Sequence, residues 1–233
     1  MKKIVPLILL LSFWTSYAYA AEGEQQKLLR DSVLVMEEIM NAPDQEIPAN
    51  LISQAKAVII FPTMVKGGFF IGGRYGNGVA TVRSKATGRF GPPGFITQSG
   101  ISFGFQFGAE AVDLILLVMT QRGLEGLLKS KLTLGGDVAV SAGPIGRHAE
   151  AAADMRMQGE IYSYSRSKGA FAGISLKGTL IEENEDANHI YYGQVSIRDI
   201  LMNGKVKKLP QSAKRFIKGI NLIARAQRKG AKK

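Results

Sequence analysis

Between Ile101 and Phe107 the chain alternates strictly. Ile101, Phe103, Phe105 and Phe107 share one parity, and Ser102, Gly104 and Gln106 share the other. A period of two marks a strand with one large apolar face. The competing arrangement is a helix using Gly100, Gly104 and Gly108 as a glycine zipper. The alternation argues against it, as does Asp113, which interrupts any longer apolar run. From Asp113 to Met119 the chain reads Asp-Leu-Ile-Leu-Leu-Val-Met, as expected of a strand covered on both faces.

Other segments extend the same reading. Ala57 to Phe61 is a short β-branched strand that Pro62 is expected to stop. Asn77-Gly78 predicts a hairpin turn, with Val79 to Val82 as the return strand. Leu132 to Leu134 and Val138 to Ala142 are strand-like. Ile161 to Arg166 and Ala170 to Leu180 predict a hairpin turning at Lys168-Gly169. Apolar residues at helical spacing predict an amphipathic helix over Glu22 to Met40. Shorter helices are expected over Pro48 to Lys56, Arg122 to Lys131 and Val195 to Met202, with an acidic loop or helix start at Glu182 to Asp186. The fold expected is a single α+β domain: a glycine-rich, largely antiparallel β assembly, sandwich- or barrel-like, with flanking N- and C-terminal helices.

The charge is unevenly placed. The formal net charge is +11. Residues 205–233 hold 11 basic side chains and no acid, whereas residues 21–204 hold 17 basic and 19 acidic ones. The body is near neutral and carries a basic appendage. Lys2 and Lys3 precede an apolar run from Ile4 to Trp14, and Ala18-Tyr19-Ala20 fits a signal-peptidase site, which predicts export and a mature chain from Ala21. An uncleaved signal anchor is the alternative. The expected organisation is a signal peptide over 1–20, the domain over 21–204 and the basic tail over 205–233. The location follows as periplasmic or secreted, with peripheral membrane association.

Catalytic and metal chemistry find little support. The chain has no cysteine and only two histidines, His148 and His189, which removes disulfides, thiolate metal sites and cysteine nucleophiles. Gly100-Ile101-Ser102-Phe103-Gly104 matches the G-x-S-x-G nucleophile pattern. That chemistry needs a strained strand–turn–helix, whereas Ser102 lies in an alternating strand, so a serine hydrolase is a remote alternative. There is no phosphate-binding loop and no zinc motif. Glu182, Glu183, Glu185 and Asp186 lack the spacing of a calcium loop. No enzyme activity, cofactor or metal is expected.

The tail carries the strongest physical signal. Ala213, Phe216, Ile217, Ile220, Ile223, Ala224 and Gln227 line one helical stripe. Lys214, Lys218, Asn221, Arg225 and Arg228 fall opposite, with Arg215 and Lys229 nearby. A basic amphipathic helix of this kind suits an anionic membrane surface. The same stripe also suits packing on the domain's own sheet, and the sequence leaves both uses open. Nucleic acid is not an expected partner, because the tail has a single aromatic, Phe216, and no stacking platform.

The middle of the chain resembles the SYLF domain, also called the Ysc84-type actin-binding domain. The resemblance rests on Ala55-Lys-Ala-Val-Ile-Ile-Phe-Pro62, Lys66-Gly-Gly-Phe-Phe70, Gly104 to Asp113, Leu134-Gly135 and Ala142-Gly-Pro-Ile-Gly-Arg147. It continues with Tyr164-Ser-Arg-Ser-Lys-Gly169, Phe171 to Gly178 and Tyr191-Tyr192-Gly193. These blocks follow family order over roughly residues 50–200. The resemblance implies a lipid-binding domain, whose eukaryotic relatives bind phosphoinositides and, in fungi, actin. Because the chain reads as exported, actin is not expected as its partner. Phe90-Gly91-Pro92-Pro93 stands where the family commonly has a Gly-x-x-Trp-Ser-x-Pro turn, and no cysteine marks a lipoprotein. The expected partner is an anionic phospholipid membrane, with an envelope protein bound by an adaptor-like domain as the alternative. The nominated lipid-contact residues are Lys214, Arg215, Phe216, Lys218, Ile220, Arg225, Arg228 and Lys229. A second group is Lys66, Arg74 and Phe69, with at least one of Phe69 and Phe70 expected in the core.

Overall fold

The structure is a computed structural model that describes residues 5–42, 47–104, 109–129, 131–145, 159–167, 170–171, 176–206 and 208–230. Within its helices and strands, the side chains of residues 5–22, 68–71, 102–104, 109, 170–171 and 227–230 lie outside that description. The helices are α1 (Val5–Met40), α2 (Ala49–Gln54), α3 (Gln121–Leu127), α4 (Glu185–Tyr192), α5 (Ile197–Leu201) and α6 (Gln211–Gly230). The strands are β1 (Ala57–Val82), β2 (Gly94–Gly104), β3 (Ala109–Val118), β4 (Lys131–Thr133), β5 (Val140–Ala142), β6 (Ile161–Ser167), β7 (Ala170–Phe171) and β8 (Leu180–Glu183). All eight belong to one sheet in the order β4-β8-β2-β1-β3-β6-β5, with β7 beside β6. Among the described strands only β5 and β6 pair in parallel. The sheet curls into a half-barrel, flanked by helices, and the α+β expectation holds. Among the described residues no helix is long and apolar enough to cross a membrane.

The long strand β1 doubles back on itself. Its 26 residues would span about 85 Å if straight. Instead its ends meet, with the Arg83 N–H donating to the Lys56 carbonyl at 2.7 Å. Residues 57–67 pair with β3 and residues 70–80 with β2, so the reversal falls between the two ladders. This corrects the turn expected at Asn77-Gly78. Both residues lie in the returning arm, opposite Thr97 and Ile96. Gly78 is there for close approach: a Cβ would sit 2.3 Å from the Phe61 ring and 2.6 Å from the Ile60 carbonyl oxygen. Nor does Pro62 stop the strand. The register shifts between Phe61 and Met64, a bulge that absorbs the residue lacking an N–H. Thr63 within it has a φ of 59°, and its N–H donates to Asp113 Oδ1 at 3.1 Å.

Around residues 57–61 of β1 and 114–118 of β3 the sheet is buried on both faces, which explains the unbroken apolar runs there. On β3, Ile115 and Leu117 join Val58, Ile60, Val79 and Phe95 beneath α1, α2, α4 and α6. Leu114, Leu116 and Val118 join Ile59, Phe61, Ala80 and Ile96 in a second core, closed by Leu124 and Leu127 of α3 and Ile200 of α5. The run read as a central strand is therefore β3. The hairpin expected at Lys168-Gly169 is found as β6–β7, with Ser167 opposite Ala170 and Arg166 opposite Phe171, but its return does not run on as one strand to Leu180. Strand β7 has two residues, Lys168-Gly169 lies outside the described residues, and β8 sits across the sheet between β4 and β2.

Candidate functional site

Helix α6 is fastened to the body. Ala213, Phe216, Ile220 and Ala224 are buried in the helix-side core with Leu29, Met36 and Ile39 of α1. A Cβ on Gly219 would lie 2.9 Å from Val33 Cγ1, so glycine lets the two helices approach closely here. Asn221 is buried and grips one residue of the body twice. The Phe90 N–H donates to its Oδ1 and its Nδ2 donates to the Phe90 carbonyl, both at 2.9 Å. Sequence reasoning placed Asn221 on the basic side. Its spacing from Lys214 and Lys218 is misleading, because a short amide finds better partners in an unpaired backbone N–H and C=O than in water. Of the two uses left open for the stripe, packing on the body is the one observed. Phe216 and Ile220, nominated for apolar contact with lipid, are spent on holding the helix in place.

What α6 offers outward is the rest of its circumference. Lys214, Arg215, Lys218, Leu222 and Arg225 are exposed. Leu222 is 55% exposed, with Arg215, Lys218 and Arg225 on the same stripe at helical spacing. The stripe borders a groove of about 370 Å³ between α1 and α6, lined by Arg30, Val33, Leu34, Glu37, Arg215 and Phe216, among others. The exposed Arg30 and Leu34 on α1 and Leu222 on α6 were not singled out from the sequence. Leu34 falls outside the apolar repeat of Leu29, Val33, Met36 and Met40, and its exposure follows from that helical period. Arg228 and Lys229 lie on the α6 backbone, and their side chains are outside the described residues.

The second nominated group does not assemble as a basic surface. Lys66 is half-buried and pairs in register with Glu110. Arg74 is only 7% exposed. It shares the inward face with Gly76 and alternates with the exposed Tyr75, its Nη2 donates to the Ile101 carbonyl at 3.4 Å, and burial pulls its pKa below the ordinary arginine value. The side chain of Phe69 is outside the described residues. This end of the sheet instead exposes Val65, Tyr75 and Ile101, the last at 62%. Ile101, the first residue of the alternating apolar face, is thus in solvent; the side chains of Phe103, Phe105 and Phe107 lie outside the described residues.

Ser102 lies within β2, paired with Gly72 in an uninterrupted antiparallel ladder. That extended backbone is not the sharp strand–turn–helix bend a nucleophile elbow needs. Among the described residues no group of His, Asp and Glu side chains is placed to hold a metal ion. The ionised cluster that ties α1 to the sheet is architectural. Arg166 bridges Glu38 of α1 and Asp113 of β3. Burial opposes its charge, but hydrogen bonds to both carboxylates outweigh that and raise its pKa.

Comparison with known proteins completes the picture. Residues 99–222 match the model of the family described as Ysc84, Las17-binding protein actin regulator. LAS seventeen-binding protein 3 of Saccharomyces cerevisiae is 38% identical over 170 residues, covering 72% of this chain and 37% of that protein. Protein YSC84 of the same organism is also 38% identical over 170 residues, with 36% of it covered. SH3 domain-containing YSC84-like protein 1 of Homo sapiens is 36% identical over 163 residues, 69% of this chain and 47% of that protein. The chain thus spans between a third and a half of the length of these curated relatives. They are named as binding or regulatory proteins, not as enzymes. The expectation that actin plays no part is overturned, because the matched family is described as an actin regulator and relatives carry the Las17-binding name. That expectation had rested on export alone. The chain belongs to the Ysc84, or SYLF, family.

Proposed function

We propose that this protein is a non-catalytic binding module that docks on anionic phospholipid surfaces through the outer face of α6. The observation that carries the reading is Leu222, exposed on a stripe with Arg215, Lys218 and Arg225, in a segment that holds no acid from Lys205 to Lys233. Each basic side chain near an anionic leaflet contributes about 1 kcal/mol, and burying the exposed part of one leucine adds roughly 1 kcal/mol. Together they support reversible attachment without a membrane-spanning segment. Because the buried stripe already fixes the helix, docking needs no refolding.

Co-flotation of the protein with neutral and anionic vesicles, at low and high salt, tests this. Binding to anionic vesicles that weakens with salt and is lost in Lys214→Glu/Arg215→Glu/Lys218→Glu supports the reading. Undiminished binding by that variant would sink it. Export of a mature chain from Ala21 belongs to the same proposal, and amino-terminal sequencing of the cell-produced protein checks it. An intact Met1 would remove it.

A second reading is favoured by the names of the relatives. The same basic face suits an acidic protein surface, and the family description points to actin. Co-sedimentation with actin filaments, using the same charge-reversal variant, separates the two. Saturable filament binding without vesicle binding would make the partner a protein.

A further inference from the structure

A second cavity lies away from α6. It is a groove of about 590 Å³ between the end of α2, the β1–β2 turn, the start of α3 and the end of α5. That size is within the range of small-molecule sites. Three cations line it, Lys56, Arg83 and Lys85, and none of its lining residues among those described is an acid. Its floor is apolar: Leu124 and Leu201 are buried, and Met202 stands exposed at the rim.

The roles of the three cations differ. Arg83 is occupied by the fold: it donates to the carbonyls of Ala55 at 2.9 Å, Ile52 at 2.6 Å and Gly88 at 2.7 Å, and its guanidinium lies 4.0 Å from the centre of the Phe90 ring. It thereby covers carbonyl oxygens that would otherwise repel an anion. Lys56 is half-buried, Lys85 is exposed, and neither forms an ion pair among the described residues. An apolar trough with two uncommitted ammonium groups and no opposing carboxylate is complementary to a ligand with one acidic end and one apolar body.

We propose that this groove binds a single-chain anionic amphiphile, a long-chain carboxylate, with its acid at Lys56 and Lys85 and its chain along Leu124, Leu201 and Met202. An inorganic anion leaves the apolar floor unused, and a neutral lipid leaves both lysines unpaired. The site goes beyond the surface docking proposed above, since no α6 residue lines it and its ligand is a dissolved monomer.

The test uses the full chain and the fluorescent fatty acid cis-parinaric acid, below its micellar concentration. One saturable site is expected, with the methyl ester binding at least tenfold more weakly. Lys56→Gln/Lys85→Gln is expected to weaken the acid at least tenfold with an unchanged melting temperature. Met202→Glu, which sets a carboxylate at the rim, is expected to weaken it similarly. The Lys214→Glu/Arg215→Glu/Lys218→Glu variant is expected to bind the probe as the parent does. The proposal is overturned by absence of saturable binding, by equal affinity for acid and ester, or by a double lysine variant that binds normally. Loss of probe binding in the α6 variant would overturn it too, by moving the ligand to the docking face, while leaving vesicle docking untouched.

Discussion

The side-chain amide of Asn221 pairs with both backbone groups of Phe90, 131 residues earlier, as a neighbouring strand would. Asn188 on α4 does the same to Phe95, accepting from its N–H at 2.8 Å and donating to its carbonyl at 3.1 Å. Two helices are thus fastened at either end of the Phe90 to Phe95 segment by buried amides, next to the face that carries the exposed charge.

Replacing Asn221 with Ala is expected to destabilise the protein by about 2–4 kcal/mol, because the Phe90 N–H and carbonyl are left buried and unpaired. In a domain of this size that lowers the melting temperature by roughly 5–15 °C. Asn221→Leu is expected to do no better, since added apolar volume does not restore the two bonds. Thermal unfolding followed by circular dichroism measures both. A loss under about 0.5 kcal/mol would mean that α6 is held by Phe216 and Ile220 alone.

The crossing arms of β1 make two glycines diverge. At Gly78 an added Cβ meets the Phe61 ring and the Ile60 carbonyl, so Gly78→Ala must part the arms and is expected to cost about 1–3 kcal/mol. At Gly73 nothing lies within 4 Å of the added Cβ. There Ala reduces the freedom of the unfolded chain and is expected to be neutral or to stabilise by up to about 1 kcal/mol. Urea unfolding of the two variants reads the contrast directly, and equal effects would remove the close approach as the reason for Gly78.

Much of this was legible in advance where a local pattern matched its environment. The Asp113 to Met119 run announced β3 because a strand covered on both faces must be apolar throughout. The alternation that begins at Ile101 announced the extended backbone of β2. The misreadings arose where tertiary packing reused a local signal. Asn77-Gly78 has turn chemistry, but Gly78 is needed to clear Phe61. Pro62 has strand-ending chemistry, but a bulge accommodates it. Arg74 and Asn221 carry surface-like side chains, and only the three-dimensional partners, Ile101 and Phe90, reveal that both are interior. The basic stripe of α6 was visible in sequence, whereas Leu222 was not, because it falls outside the apolar stripe and only its exposure beside Arg215, Lys218 and Arg225 gives it a part in that face.

Thr63 carries the one positive φ found outside glycine among the described residues. A β-branched side chain at that conformation stores roughly 1–3 kcal/mol, offset here by its N–H bond to Asp113. Thr63→Gly is therefore expected to stabilise the protein, by about 1 kcal/mol after allowing for the freer unfolded chain. Asp113→Ala is expected to destabilise it, through loss of both that acceptor and the Arg166 pair. Equilibrium unfolding in urea gives both signs. A destabilised Thr63→Gly would show that the threonine conformation is not strained.

Leu222 separates docking from folding. It is exposed, so Leu222→Ala is expected to leave the melting temperature within a degree or two while weakening attachment to anionic vesicles by about fivefold, the loss of roughly 1 kcal/mol of apolar burial. Removing the three charges of Lys214, Arg215 and Lys218 as glutamines is expected to weaken attachment about a hundredfold at low salt and much less at high salt. Phe216→Ala behaves differently because Phe216 is buried: it is expected to cost about 3–5 kcal/mol of stability and to loosen α6 itself. Vesicle partitioning and thermal melting on the same three variants give a two-by-two outcome. If Leu222→Ala lowered stability but not attachment, the leucine would be part of the fold rather than of the docking face, and the apolar share of the binding would have to come from elsewhere on the surface, with Val65, Tyr75 and Ile101 the next residues to test.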